Sequence, residues 1–324
     1  MVTPAASLRI VFFGTPDFAV PTLQALHDSR HPVVGVVTQP DRARGRGHHA
    51  QWGPVKQLAE QYGLTVLQPE RLRDETFLDA FRGLGADLGV VAAYGRILTD
   101  AVLATPRLGL INVHASLLPK YRGAAPIHRA VMAGETVTGV TIMRVVKALD
   151  AGPTISSVTR AIGEHETSAE LERDIARIGA RALVAAVEAI AEGRATETPQ
   201  YEADATYAHK IEKVDGIIDW SHPARELHNQ IRGLHPWPHA YSELQGERTI
   251  LLRSEVEREL PGARALPGTV LDAHSDQFRV QTGEGVLRLL MLQREGRRPL
   301  TAREFLAGRR IQPGARFLLS RSSS

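Results

Sequence analysis

The stretch Asn112-Val113-His114-Ala115-Ser116-Leu117-Leu118-Pro119 places an amide, an imidazole and a hydroxyl at alternate positions of an otherwise apolar run. Alternate side chains of a strand share one face, so Asn112, His114 and Ser116 point the same way if the strand continues. An asparagine amide can donate to a carbonyl oxygen. A histidine moves a proton near neutral pH. Together they suit acyl-type chemistry, in which a carbonyl becomes a tetrahedral oxyanion. The same residues also read as a buried, satisfied polar pair at a strand end. Asp150, ahead of the turn signal Ala151-Gly152-Pro153, could orient His114 and hold its imidazolium form. It equally suits an aspartate that caps its own turn.

A second chemical feature is the loop Gln39-Pro40-Asp41-Arg42-Ala43-Arg44-Gly45-Arg46-Gly47-His48-His49. Its three arginines suit phosphate, because a planar guanidinium can bind two oxygens at once. An ordinary solvated loop is the other reading. Other patterns fail. Gly14 is the only glycine in the first strand–helix turn, where a dinucleotide fingerprint needs three. There is no Walker lysine motif, and Gly45-Arg46-Gly47 is too short to cradle a phosphate. His235 and His239 have a metal-helix spacing, but Pro236 and Pro238 lie between them and forbid the helix. No metal is expected.

The elements that must position these residues follow from apolar periodicity. Leu8 to Phe13, Val33 to Thr38, Asp87 to Ala92 and Gly109 to Ala115 read as buried strands separated by helical patterns. Pro16 and Asp17 suit the first turn of a helix that buries Phe18, Leu23 and Leu26. Such alternation predicts a parallel sheet covered by helices on both faces. Ligands of open parallel sheets bind beyond the carboxyl ends of the strands, where His114 would lie. Thr138 to Val146 and Thr154 to Ile162 read as later strands with an antiparallel pair. A long helix is expected from Ser168 to Ala191, with Thr167 and Glu170 as its capping box. Gly193 to Thr206 reads as a linker. Beyond it come a helix over Ala224 to Arg232 and short strands at Thr249 to Arg253, Gly268 to Ala273, Phe278 to Gln281 and Val286 to Leu292. These suggest a small oligonucleotide-binding barrel. The tail Ser320 to Ser324 is expected to fray.

The chain has 324 residues, long enough for two cored domains. It has no cysteine, which excludes disulfides, cysteine-ligated metal and thiolate catalysis. No apolar run reaches the roughly 18 residues of a membrane span, and Met1 to Ser7 lacks a secretory pattern. A cytoplasmic protein is expected. Residues 1–205 hold 21 Lys and Arg against 22 Asp and Glu, a net of −1; residues 206–324 hold 18 against 14, a net of +4. The basic second half suggests a polyanionic partner, or a solvated surface with a mild excess.

At these residues the chain resembles the methionyl-tRNA formyltransferases. The resemblance runs nearly end to end. It includes Gly14-Thr15-Pro16-Asp17-Phe18-Ala19, the Gln39-Pro40-Asp41-Arg42 loop, Ala93-Tyr94-Gly95 and Asn112 to Pro119. It also includes Arg122-Gly123-Ala124-Ala125-Pro126-Ile127, Thr138 to Met143, Leu149-Asp150-Ala151-Gly152, Ile218-Asp219-Trp220 and Pro236-Trp237-Pro238. It implies an α/β fold: a mostly parallel, Rossmann-like formyltransferase domain over residues 1–205, and a smaller oligonucleotide-binding-type β-barrel over 206–324 that contacts tRNA. It implies transfer of a formyl group from 10-formyltetrahydrofolate, the co-substrate, to the methionine amine of initiator methionyl-tRNA. Asn112, His114 and Asp150 match the catalytic trio. Ser116, Leu117, Leu118 and Pro119 match a segment associated with tetrahydrofolate. Arg96 and Leu98 match a loop lining the pteridine pocket of related enzymes, and Arg42 an arginine that helps recognise the tRNA acceptor end. His48-His49 stands where a lysine pair is common, and Ala151 where threonine is frequent. A monomer is expected.

Three rival readings remain at this stage. A serine hydrolase could use Ser116, His114 and Asp150, but no Gly-x-Ser-x-Gly elbow surrounds Ser116. A non-catalytic RNA-binding protein could use the first domain as a scaffold. Within the resemblance, a formyltransferase with a small-molecule acceptor or a formyltetrahydrofolate hydrolase is the alternative.

Overall fold

The computed structural model describes residues 7–43, 50–257 and 265–319. Arg44 to His49, with Gly45, Gly47 and the histidine pair, and the tail Ser320 to Ser324 lie outside the described residues. Among the described residues, contacts divide the chain into two compact units. The first is Met1–Pro126, Val137–Ala161 and Glu172–Ala208; the second is Ile127–Thr136, Ile162–Leu171 and His209–Ser324.

In the first unit the apolar run after Leu8 forms strand Ile10–Gly14, buried throughout. Its β-branched and aromatic side chains are covered on both faces, and it takes an interior place in a seven-stranded sheet. From edge to edge the order is Thr154–Ala161, Val137–Arg144, Leu110–His114, Leu88–Ala92, Ile10–Gly14, Val33–Val37 and Val66–Leu67. The last five of these are mutually parallel. Val137–Arg144 runs antiparallel to Leu110–His114, and Thr154–Ala161 antiparallel to Val137–Arg144. Against one face, Phe13 meets Phe81 and Tyr94 edge-on, with ring centroids 5.6 and 5.5 Å apart. The helix expected to start at Pro16 begins instead as a single tight turn, Asp17–Ala19, and becomes α-helical only over Val20–His27. Pro21 has no amide hydrogen to bond four residues back, which separates the two pieces.

The long helix spans Ser168–Ala191 as expected. Its capping box is formed: the Thr167 amide donates to Glu170 at 2.8 Å, and the Glu170 amide to Thr167 Oγ1 at 3.3 Å. Gly179 lets this helix approach the sheet, since a Cβ there would sit 2.7 Å from Val113 Cγ1.

Gly193 to Thr206 is not a free linker. Thr198 and Thr154 exchange backbone hydrogen bonds, both 2.8 Å. Tyr207–Ala208 then pairs in parallel with Arg122–Gly123. Glycine, proline and polar residues signal the absence of a regular helix. They say nothing about contacts, and this segment satisfies its amides on neighbouring loops.

The second unit is an antiparallel sheet in the order Val270–His274, Gln277–Gln281, Val286–Arg294, Glu247–Glu257, Ala240–Leu244 and Phe317–Leu318. Pro299–Thr301 pairs on Val286–Arg294. The two ends meet: Val270 donates to Ala315 and Phe317 to Gly268, both at 2.8 Å, so the sheet closes on itself as a small barrel. Leu251, Phe278, Val280, Leu289, Phe305 and Phe317 fill it. Helix Ala224–Gly233 packs on its wall.

Candidate active site

Strand Leu110–His114 is where the parallel part of the sheet gives way to the antiparallel part. It pairs with Leu88–Ala92 on one side and Val137–Arg144 on the other. Val113 faces the long helix at Gly179. By alternation, Asn112 and His114 face the opposite side. His114 is buried, at 5% exposure, and Asn112 is half-buried.

Both ring nitrogens of His114 face oxygen. Nε2 lies 2.9 Å from the carbonyl of Tyr121, and Nδ1 lies 3.6 Å from Asp150 Oδ2. A carbonyl only accepts, so Nε2 carries a hydrogen and Nδ1 is the nitrogen left for chemistry. Asp150 adopts φ +47°, a left-handed conformation that costs a non-glycine residue roughly 1–3 kcal/mol. The turn around it is tight: a Cβ on Gly152 would stand 1.9 Å from the Arg144 carbonyl. The Gly123 amide donates to Asp150 Oδ2 at 2.9 Å and orients the carboxylate. Asn112 and His114 are therefore carried by one strand and Asp150 by a separate turn of the same unit, and the imidazole meets the carboxylate.

Ser116 departs from the alternation. The strand ends at His114, and Ser116 is fully buried with Oγ donating to the Lys120 carbonyl at 2.6 Å. Its own carbonyl accepts from Thr141 Oγ1 at 2.8 Å, and that oxygen accepts from the Leu118 amide at 3.1 Å. The segment turns because these local bonds replace a continued ladder. Ser116 thus has its hydroxyl committed to its own loop and is not paired with His114 as a serine nucleophile would be. Leu117, Leu118 and Pro119 are half-buried in this turn.

Arg96 Nη1 donates to the carbonyls of Pro69 and Glu70, both at 2.9 Å. It borders a groove of about 460 Å³ with Arg71, Arg73 and the exposed Ile97. Leu98 packs on the apolar core instead. Arg42 begins a two-residue strand that pairs with Gln51. Just before it, Asp41 forms an ion pair with Lys56 and accepts from Gln68 at 3.0 Å. The hydrogen bond from Lys56 draws the Asp41 carboxyl below the usual range. The loop base is thereby anchored.

Arg122, Tyr121, Gln200 and Thr206 carry no catalytic pattern in the sequence, yet all bear on this site. Arg122 is almost wholly buried, and its guanidinium grips Gln200 and Glu202. A buried arginine demands partners. The one signal available beforehand was its place in the quoted run Arg122 to Ile127.

Comparison with known proteins agrees with this architecture. The Formyl transferase family model matches residues 8–187, and the model of the Formyl transferase C-terminal domain matches residues 210–310. The methionyl-tRNA formyltransferase of Methylobacterium nodulans is 46% identical over 314 residues, covering 96% of this chain and 99% of the relative. That of Phenylobacterium zucineum is 46% identical over 310 residues, covering 96% and 100%. That of Stutzerimonas stutzeri is 47% identical over 305 residues, covering 94% and 96%. Among solved structures, HypX from Aquifex aeolicus in complex with tetrahydrofolic acid superposes with a TM-score of 0.64 at 18% identity, covering 98% of this chain and 51% of that one. The sugar 3N-formyl transferase WlaRD also gives 0.64 at 18% identity, covering 90% and 100%. These two similarities concern the fold.

Proposed function

This chain belongs to the methionyl-tRNA formyltransferase family, and from that membership we propose the following reaction and residue roles. The protein transfers the formyl group of 10-formyltetrahydrofolate to the α-amino group of methionine on initiator methionyl-tRNA. The bound folate supplies an electrophilic formyl carbon. The amine nitrogen forms a bond to that carbon, the bond from carbon to the folate nitrogen breaks, and one proton passes from the amine to the leaving nitrogen. No covalent enzyme intermediate is needed.

Asn112 donates its amide to the formyl oxygen as negative charge develops there. His114, with Nε2 held by the Tyr121 carbonyl, adds a second donor at Nδ1 when protonated. Asp150 keeps that ring in place and relays the proton between the two nitrogens. Leu117, Leu118, Pro119 and Arg96 line the folate side, with Leu98 packed on the apolar core. Ser116 shapes the segment from within. Arg42 contacts the acceptor end of the tRNA, and the basic stretch 206–324 binds its phosphates. Among the described residues no helix is long and apolar enough to cross a membrane. The enzyme acts as a monomer in the cytoplasm.

The observation that carries the catalytic reading is the His114–Asp150 pair beside Asn112 at the end of one sheet strand. The test incubates the protein with formyl-labelled 10-formyltetrahydrofolate and either initiator or elongator methionyl-tRNA. Label on the initiator species, and far less on the elongator, is expected. Label released only as formate would instead identify a hydrolase, and equal labelling of both tRNAs would remove the initiator preference.

A further inference from the structure

The segment that follows the long helix returns to the catalytic loops as a strap. The Gln200 carboxamide nitrogen donates to two carbonyls, of Asp150 at 2.8 Å and of Gly152 at 2.7 Å. Its oxygen accepts from Arg122 Nε and Nη2 at 3.1 and 3.0 Å. Arg122 Nη1 is in turn held by both oxygens of Glu202, at 3.0 and 2.9 Å. Only one orientation of the amide satisfies two carbonyls and a guanidinium together, so its nitrogen and oxygen are assigned without ambiguity. Six residues on, Thr206 accepts the Tyr121 amide on Oγ1 at 2.9 Å and the Arg122 amide on its carbonyl at 2.8 Å. Tyr121 supplies the carbonyl that receives His114 Nε2. The strap therefore fixes the backbone behind both members of the imidazole–carboxylate pair.

We propose that Gln200, clamped by Arg122, is a positioning residue for Asp150: it holds the turn in which Asp150 keeps φ +47° and so aims the carboxylate at His114. The inference rests on the proposed role of Asp150. The position requires two N–H donors on one side and an acceptor on the other, which among uncharged side chains of this length only a glutamine supplies. The Gly123 amide donates to the carboxylate itself, and a turn free to relax would carry Asp150 away from it. Misplacing a catalytic group by about 1 Å can cost on the order of 100-fold in rate.

The test compares Gln200→Glu and Gln200→Met with the parent enzyme. Glutamate keeps the pairing with Arg122 but sets an oxygen against both carbonyls; methionine keeps the reach and removes every donor. Either variant that folds, judged by its thermal transition, suffices. We expect kcat to fall roughly 10- to 100-fold while KM for methionyl-tRNA and for 10-formyltetrahydrofolate changes less than about twofold. The same change is then made in an Asp150→Asn background. If Gln200 acts through Asp150, it costs less than about threefold there, because the two losses do not add. An undiminished kcat in a folded Gln200 variant overturns the inference. So does an equal cost in both backgrounds. Full turnover in Asp150→Asn alone overturns the prior reading of Asp150 and takes this inference with it.

Discussion

His114 Nδ1 stands 3.6 Å from Asp150 Oδ2, within ion-pair reach but beyond a hydrogen bond. Catalytic contacts of this kind tighten when substrates fill the site. Asp150→Asn keeps the size and the bond from Gly123 but removes the charge and the proton acceptor. Turnover is expected to fall by about 100- to 10,000-fold, the usual contribution of a positioned acid–base group. Methionyl-tRNA affinity, measured by filter binding, should stay within about twofold. A variant with parent-like turnover would take Asp150 out of proton transfer.

Asn112 lies on the same strand face as His114, two residues earlier. Loss of one well-placed oxyanion donor typically costs about 100- to 1,000-fold in turnover. Asn112→Ala is expected to show that loss in single-turnover formyl transfer, with tRNA binding kept. A loss confined to KM would make Asn112 a binding residue only.

Ser116→Ala separates the transferase from a serine hydrolase. The buried hydroxyl bonds the Lys120 carbonyl, so its removal should lower stability by about 1 kcal/mol in denaturant unfolding. Turnover should stay within about tenfold of the parent, and an active-serine probe should leave the parent unlabelled. Labelling of the parent that disappears in Ser116→Ala would revive the nucleophile.

Arg42→Ala tests the phosphate role of the loop. Removing one cationic contact lowers the number of counterions released, so the log–log salt slope of tRNA binding should flatten by about 1. Folate affinity should not change. An identical slope in parent and variant would place Arg42 away from phosphate.

Burial raises the Glu170 carboxyl, but hydrogen bonds from Thr167 and Arg253 outweigh it and hold the group at about 2, against an ordinary 4.5. The unfolded chain therefore binds more protons than the folded one between those values. The stabilisation is fully present above about pH 4.5 and is lost as pH falls through about 2. Glu170→Gln should melt below the parent near neutral pH, with the gap narrowing below about pH 4.5 and closing below about pH 2. Thermal scans across acid pH measure it. A gap that stays constant would mean that the carboxylate charge contributes nothing.

Much of the fold was legible because its signals are local. Ile10 to Phe13 is an unbroken apolar run, which a strand covered on both faces buries. Thr167 and Glu170 sit three apart, and the cap they form needs only that spacing. The order Asn112, His114, Asp150 was legible as a set of residue types. Ser116 would share the face of Asn112 and His114 only if the strand continued; it ends at His114, where Thr141, a strand away, bonds the chain into a turn. Val66–Leu67 is only two residues long, too short for a periodicity to register.

By itself, then, the amino-acid order determined the runs that must be buried, the breaks between them and the functional groups available at the ends of those runs. Periodicity and turn chemistry act over a few residues, so they can be read in one dimension. Only the tertiary structure decided that Asp150 meets His114, that Tyr121 takes the other ring nitrogen, and that Gln200 and Thr206 reach back to hold both. All but the His114–Tyr121 contact join residues far apart in the chain, and no local pattern encodes a hydrogen bond whose partner is chosen by the packing of a whole sheet.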